Sequence, residues 1–186
     1  DYLKIKQGLD ILYAGDLPAQ SGMGSSSSFV VGLMKALFEL KNIKLNKKKL
    51  AKKSMYFEQK LLKETVGSQD QIAGSYGGFQ SIKFNKNGTF KINNLGNNKK
   101  YLGQLNERLI LIHTERPKPA HDIANKYVYN LDQKKEFMEL ITKYTIDAKK
   151  IIKNEQLDEF GNLLDKAWLA KKKISKFITN NEIERI

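Results

Sequence analysis

The sequence predicts an α+β fold in two subdomains. Short alternating or apolar stretches of strand length punctuate the chain up to residue 112, helical apolar stripes lie between them, and the C-terminal part is helical. Leu9-Asp10-Ile11-Leu12-Tyr13 alternates like a strand, and the loop Asp16-Leu17-Pro18-Ala19-Gln20-Ser21-Gly22-Met23-Gly24 follows it. Phe29, Val30, Leu33, Leu37 and Leu40 then recur at helical spacing, with Ser25 to Ser28 as N-capping hydroxyls just before them. A second helix is expected over 47–63. Its stripe is Leu50, Ser54, Phe57 and Leu61, which leaves Glu58 on the border between core and solvent.

Residues 66–73 read as a turn entering a short helix that Gly77-Gly78 ends. Phe79–Phe84 and Thr89–Ile92 flank an Asn87-Gly88 pair, a hairpin signal because both residues tolerate positive φ. The polar stretch Asn93–Lys100 is the expected boundary, giving subdomains 1–100 and 101–186. Leu109-Ile110-Leu111-Ile112 reads as a short buried strand, and the loop from Thr114 to Pro119 follows. Two helices complete the pattern. One is marked by Phe137, Ile141, Tyr144, Ala148 and Ile151, the other by Leu157, Phe160, Leu164, Ala167, Trp168 and Ile174, with Phe160 and Trp168 taken as core.

Composition narrows the chemistry. The 186 residues (21.3 kDa) contain no cysteine, which removes disulfides, thiolate metal sites and a thiol nucleophile. With His113 and His121 the only imidazoles, any metal should be a hard cation on oxygen ligands. No apolar run approaches the ~20 residues of a membrane helix. The net charge of +13 invites a polyanion, but of the 33 basic residues only Arg108, Arg116 and Arg185 are arginine. Readers of nucleic acid lean on arginine for bidentate contacts, so the lysine runs are read as solvated helix faces. The chain starts at Asp1 with no secretory pattern and stops at Ile186 within a helical pattern, which reads as a stretch of a longer protein. A cysteine-free, signal-free chain fits a reducing cytoplasm.

The segment Pro18 to Phe29 carries the most chemistry. Glycines let a backbone approach an anion, a helix start presents unpaired N–H groups, and serine hydroxyls can donate to phosphate or coordinate Mg²⁺. The Walker pattern, with its lysine, is absent. Downstream, Asp70 lies among Gly67, Ser68, Gln69 and Gln71, twelve positions after Glu58. Near bound phosphates one carboxylate can hold Mg²⁺ and another can orient or deprotonate an attacking hydroxyl.

Together these segments resemble the GHMP small-molecule kinases. Pro18-x3-Gly22-Met23-Gly24-Ser25-Ser26 is similar to that family's second motif, with Met23 in place of the usual Leu, and Glu58 with Gly67-Ser68-Gln69-Asp70-Gln71 is similar to its metal glutamate and catalytic segment. The four-serine run, Tyr76-Gly77-Gly78-Phe79 and Phe160-Gly161-x2-Leu164-x3-Trp168 resemble the branch of D-glycero-D-manno-heptose 7-phosphate kinases.

The resemblance implies a ribosomal protein S5 domain 2-like N-terminal subdomain and a ferredoxin-like C-terminal one, both incomplete here, with the first and third family motifs outside 1–186. It implies ATP and Mg²⁺ as cofactors and a phosphorylated sugar as partner. Gly22, Met23, Gly24, Ser25, Ser26, Ser27 and Ser28 would bind the ATP phosphates, Ser26 and Glu58 the metal, and Asp70 would be the base or orienting carboxylate. Thr114 and Arg116 are candidate substrate-loop residues, and His113 shares their loop. Two alternatives stand beside this reading: another acceptor such as fucose, galactose or a mevalonate-type alcohol, and a basic RNA-binding module without catalysis.

Overall fold

The computed structural model describes residues 2–16, 22–112, 134–175 and 178–185. The chain divides into two compact units, the described residues of the first falling within 2–77 and those of the second within 78–112 and 134–185. The polar stretch 93–100 lies inside the second unit.

In the first unit, helix α1 (Ser25–Leu40) buries Val30, Val31, Met34 and Phe38. The helix is where the periodicity places it, but of the expected stripe only Val30 is buried; Phe29, Leu33 and Leu37 are half-buried and Leu40 is exposed, and the cap differs as well. The N-cap is Gly24 in the left-handed conformation (φ 68°, ψ 22°), and no side chain caps the first turn, so the expected serine capping is not what starts the helix.

Helix α2 (Lys47–Tyr56) opens on Asn46, whose side chain accepts from the Lys49 N–H, and it buries Leu50, Ala51 and Ser54. A π-helical turn, Phe57–Leu61, then continues it, closed by the Leu62 N–H donating to the Phe57 carbonyl at 2.9 Å. Helix α3 (Gln69–Tyr76) ends at Gly77 (φ 67°). Val30, Val31, Met34, Phe38 and Leu50 form the core of this unit, with Leu3, Phe29, Leu45 and Phe57 against it, and α1, α2 and α3 pack on one another.

Residues 9–13 form no strand. Ile11, Leu12 and Tyr13 are exposed, Leu12 at 95%, and among the described residues no strand lies alongside to take their backbone hydrogen bonds. Tyr13 instead meets Phe29 edge-to-face at 4.8 Å.

The second unit begins with an antiparallel hairpin, β1 (Gln80–Phe84) and β2 (Phe90–Asn94), in the register Gln80 with Asn94 through Phe84 with Phe90. Gly88 alone of the Asn87-Gly88 pair takes positive φ (75°), and its N–H donates to the Asn85 carbonyl, while Asn85 N–H donates to Thr89. This is a three-residue loop closed by a left-handed glycine.

Helix α4 (Lys99–Glu107) was not anticipated. Asn98 caps it by accepting from the Tyr101 N–H, and Tyr101 and Leu105 are buried. The segment 109–112, expected as a buried strand, is an exposed non-strand stretch, with Ile110 at 86%. As for 9–13, no strand pairs with it among the described residues.

Helices α5 (Lys135–Lys153) and α6 (Leu157–Ile174) pack together. On α6 the buried positions are Leu163, Ala170 and Ile174, whereas Leu164 is exposed and Phe160 and Trp168 are half-buried, so the expected stripe is off by one residue at Leu164. Among the described residues no helix is long and apolar enough to cross a membrane.

Candidate active site

The first unit brings the glycine-serine loop, the π-turn and the start of α3 together. Gly22 (φ 76°) and Gly24 (φ 68°) both hold left-handed backbone, where a side chain is strained. At Gly24 a side chain would also collide: a Cβ there would lie 3.2 Å from Asp70 Cγ and 3.3 Å from Asp70 Oδ2. The loop backbone thus abuts the Asp70 carboxylate, which is exposed in the first turn of α3. Met23 is exposed. The Ser28 N–H already donates to the Gly24 carbonyl at 2.9 Å, so the amides that the helix start leaves for an anion belong to Ser25, Ser26 and Ser27.

Beneath the loop, Glu58 is 1% exposed and does not sit on the expected border. The regular helical period already places it inside: Ala51, Ser54 and Glu58, all buried, stand at i, i+3 and i+7, while the extra residue of the π-turn tells beyond Glu58, where Leu61, expected on the stripe, is 40% exposed.

Ser27 Oγ donates to Glu58 Oε1 (3.0 Å) and lies 3.2 Å from Oε2, and Gln71 Nε2 donates to Ser27 Oγ (3.1 Å) and to Glu58 Oε2. Burial pushes the Glu58 carboxyl above its ordinary value; the hydrogen bonds from Gln71 and Ser27 work against that shift, and Glu64 and Asp70 add to it. Gln59 braces the same turn from outside, its Nε2 donating to the Val66 carbonyl (3.2 Å), the Gly67 carbonyl (3.3 Å) and Ser68 Oγ (3.1 Å), which fixes the loop entering α3.

The expected residues separate accordingly. Gly22, Gly24, Ser25 and Asp70 share the loop region. Ser27, not Ser26, meets Glu58; Ser26 and Ser28 are exposed, and Ser27 is 5% exposed with its hydroxyl turned inward. Thr114, Arg116, His113 and His121 lie outside the described residues, as does Leu17–Ser21. Sequence reasoning gave Gln71 no role of its own. Its signal is faint: Gln71 and Ser75 flank Ile72 on the buried face of α3, and two polar residues on a short helix do not announce burial.

A divalent cation fits this donor set. Among the described residues no salt bridge reaches Glu58, so its buried charge is met only by neutral donors, a state that a bound cation would relieve. No group of three or more His, Asp or Glu side chains gathers among the described residues. Mg²⁺ takes one or two carboxylates and fills its remaining positions with water and phosphate oxygens, so Glu58 would be the protein carboxylate of such a site.

The first unit thus presents a glycine-rich loop opening a helix, a buried glutamate bound to the first turn of that helix, and a carboxylate against the loop. Residues 1–78 match the GHMP kinases N terminal domain.

Over its whole length the chain is 31% identical to a D-glycero-alpha-D-manno-heptose 7-phosphate kinase of Campylobacter jejuni, spanning 56% of that protein. It is 24% identical over 96% of its length to a bifunctional fucokinase/GDP-fucose pyrophosphorylase of Arabidopsis thaliana, spanning 17% of it. Among solved structures, a D-glycero-D-manno-heptose 1-phosphate kinase of Bacteroides thetaiotaomicron superposes with TM-score 0.65 and 26% identity, over 85% of this chain and 46% of that one. A Campylobacter jejuni chain described as a sugar kinase does so with TM-score 0.65 and 30% identity, over 91% and 48%. The chain therefore spans about half the length of its heptose-kinase relatives.

Proposed function

We propose that this chain is the ATP-phosphate- and metal-handling part of a sugar kinase that transfers the γ-phosphate of Mg-ATP to the anomeric C1 hydroxyl of D-glycero-D-manno-heptose 7-phosphate. The observation that carries the reading is the abutment of Gly24 and Asp70 on the same two helix starts whose Ser27 and Gln71 hydrogen-bond buried Glu58, with likeness to a heptose kinase over the whole chain beside it. In this reading the amides of Ser25 and Ser26 and the backbone of Gly22 to Gly24 hold the phosphates, and Glu58 with a loop hydroxyl holds Mg²⁺, which when bound neutralises phosphate charge. Asp70 orients the sugar hydroxyl and takes its proton as that oxygen bonds to the γ-phosphorus and the bond to the β–γ bridging oxygen breaks, releasing ADP.

Residues 1–100 then serve ATP and residues 101–186 belong to the C-terminal domain. The product would feed nucleotide-activated heptose for surface polysaccharide, made in the cytoplasm. The likeness to a fucokinase keeps fucose as the second acceptor to try.

The test is phosphoryl transfer by the full-length protein with Mg-ATP and a sugar panel that includes heptose 7-phosphate and fucose, with Asp70→Asn alongside. Product phosphorylated at C1 of the heptose, lost in the variant, supports the reading. Transfer to fucose alone moves the acceptor. No transfer to any sugar, with RNA binding that weakens steeply as salt rises, replaces the kinase by a basic RNA-binding module.

A further inference from the structure

We infer that the Ser27 hydroxyl and the Gln71 amide group are positioning groups that hold the Glu58 carboxylate ready for the divalent cation and so set metal affinity without those side chains touching ATP. The inference rests on the reading of Glu58 as a metal ligand.

Three observations carry it. First, Glu58, Ser27 and Gln71 form a closed hydrogen-bonded triangle in which each is at least 95% buried, with relative exposures of 1%, 5% and 0%. Second, the proton bookkeeping is one-directional. Gln71 Nε2 spends one hydrogen on Ser27 Oγ and the other on Glu58, and Ser27 passes its own hydrogen to Glu58, so both donors converge on the carboxylate. Third, the triangle ties together three elements. Ser27 stands beside Ser26 in the first turn of α1, Gln71 beside Asp70 in the first turn of α3, and Glu58 on the π-turn between them.

With Ser27 on Oε1 and Gln71 on Oε2, both carboxylate oxygens are held and the side chain is fixed in one orientation. The four-serine run thus contains one serine whose hydroxyl serves the glutamate.

The experiment measures Mn²⁺ binding to the full-length protein by electron paramagnetic resonance, with and without ADP, for wild type, Ser27→Ala, Gln71→Met and Glu58→Gln, together with the Mg²⁺ concentration for half-maximal transfer. Ser27→Ala removes one oxygen, and Gln71→Met keeps the shape while removing the donor, so at least one variant keeps the fold. Ser27→Thr restores a hydroxyl. The expected result is a Mn²⁺ dissociation constant raised about 10- to 100-fold in Ser27→Ala and Gln71→Met, metal-free ADP affinity unchanged, and recovery in Ser27→Thr.

If Glu58→Gln weakens Mn²⁺ binding while Ser27→Ala and Gln71→Met leave it within about twofold and only lower thermal stability, the triangle is structural and the inference falls while the metal site stands. If Glu58→Gln itself leaves Mn²⁺ binding unchanged, the metal-site reading falls, and this inference with it.

Discussion

Gly22 and Gly24 occupy nearly the same backbone conformation, with φ of 76° and 68°, yet differ in surroundings: a Cβ at Gly22 would meet nothing within 4 Å, and one at Gly24 would meet Asp70 Cγ at 3.2 Å. Gly22→Ala should therefore cost only the left-handed strain, about 1–2 kcal/mol. Gly24→Ala should cost the same plus the displacement of the Asp70 side chain, about 0.5–1.5 kcal/mol if its rotamer is forced off its minimum. Asp70→Ala isolates that second contribution, because the Asp70 Cβ lies at an ordinary 3.5 Å and only the atoms beyond it crowd the new methyl. In the Asp70→Ala background the two glycine substitutions should cost the same. Urea denaturation of the full-length protein, its three single variants and its two double variants reads this directly. Equal costs with Asp70 present, or an excess at Gly24 that persists without it, would refute the contact and with it the placement of Asp70 against the loop. Activity adds a second reading, since a carboxylate pushed aside by a fraction of an ångström to 1 Å loses up to about 100-fold in kcat.

Asp70→Asn should lower kcat by about 10²- to 10⁴-fold while ATP binding stays within about threefold, as measured by single-turnover transfer and nucleotide titration. Because burial raises the Glu58 carboxyl above 4.5, the native state retains a proton that the unfolded chain has lost once pH passes 4.5. Metal-free stability therefore falls from there up to the native value and levels above it. Urea midpoints across that interval should show the fall in wild type and not in Glu58→Gln. Met34, 1% exposed at the centre of the first core, should cost about 2–5 kcal/mol when cut to Ala, read by the same denaturation.

Periodicity reads well where the backbone keeps one period. The apolar recurrence finds α1 as a helix, although its buried face runs through Val30, Val31, Met34 and Phe38 and not through Leu33, Leu37 and Leu40, and the Asn87-Gly88 signal finds the hairpin although only Gly88 turns left-handed. Two kinds of information are missing from such a pattern. Strand-length apolar stretches at 9–13 and 109–112 announce a wish to pair but not a partner, and without one they lie exposed. A change of helical period is equally silent: nothing in Phe57-Glu58-Gln59-Lys60-Leu61 marks a π-turn, and Leu61, expected on the buried stripe, is exposed, whereas the burial of Glu58 was readable from Ala51, Ser54 and Glu58 at i, i+3 and i+7. Other misses were readable. Asn98 capping a helix with Tyr101 and Leu105 a turn apart is an ordinary helix signal, and Phe160, Leu163, Ala167, Ala170 and Ile174 make a cleaner stripe on α6 than one running through Leu164.

The serine run shows why a motif and a geometry carry different information. Successive residues in a helix turn by about 100°, so four consecutive hydroxyls cannot all face one phosphate. Ser25 is half-buried at the loop, Ser26 is exposed beside it, Ser27 is turned into the core onto Glu58, and Ser28 lines an open groove of about 380 Å³ with Lys35 and Lys47. The identical residues therefore have three different environments, and only one of them hydrogen-bonds the buried carboxylate. Losing the Ser27 hydroxyl removes one of the two neutral donors that offset the burial of that charge, whereas losing the Ser28 hydroxyl leaves the triangle intact, its amide being already committed to the Gly24 carbonyl. Unequal responses to Ser→Ala along the run follow from helical rotation alone, and a phosphate cradle in which all four hydroxyls were equivalent would require the helix to begin after Ser28 rather than at Ser25.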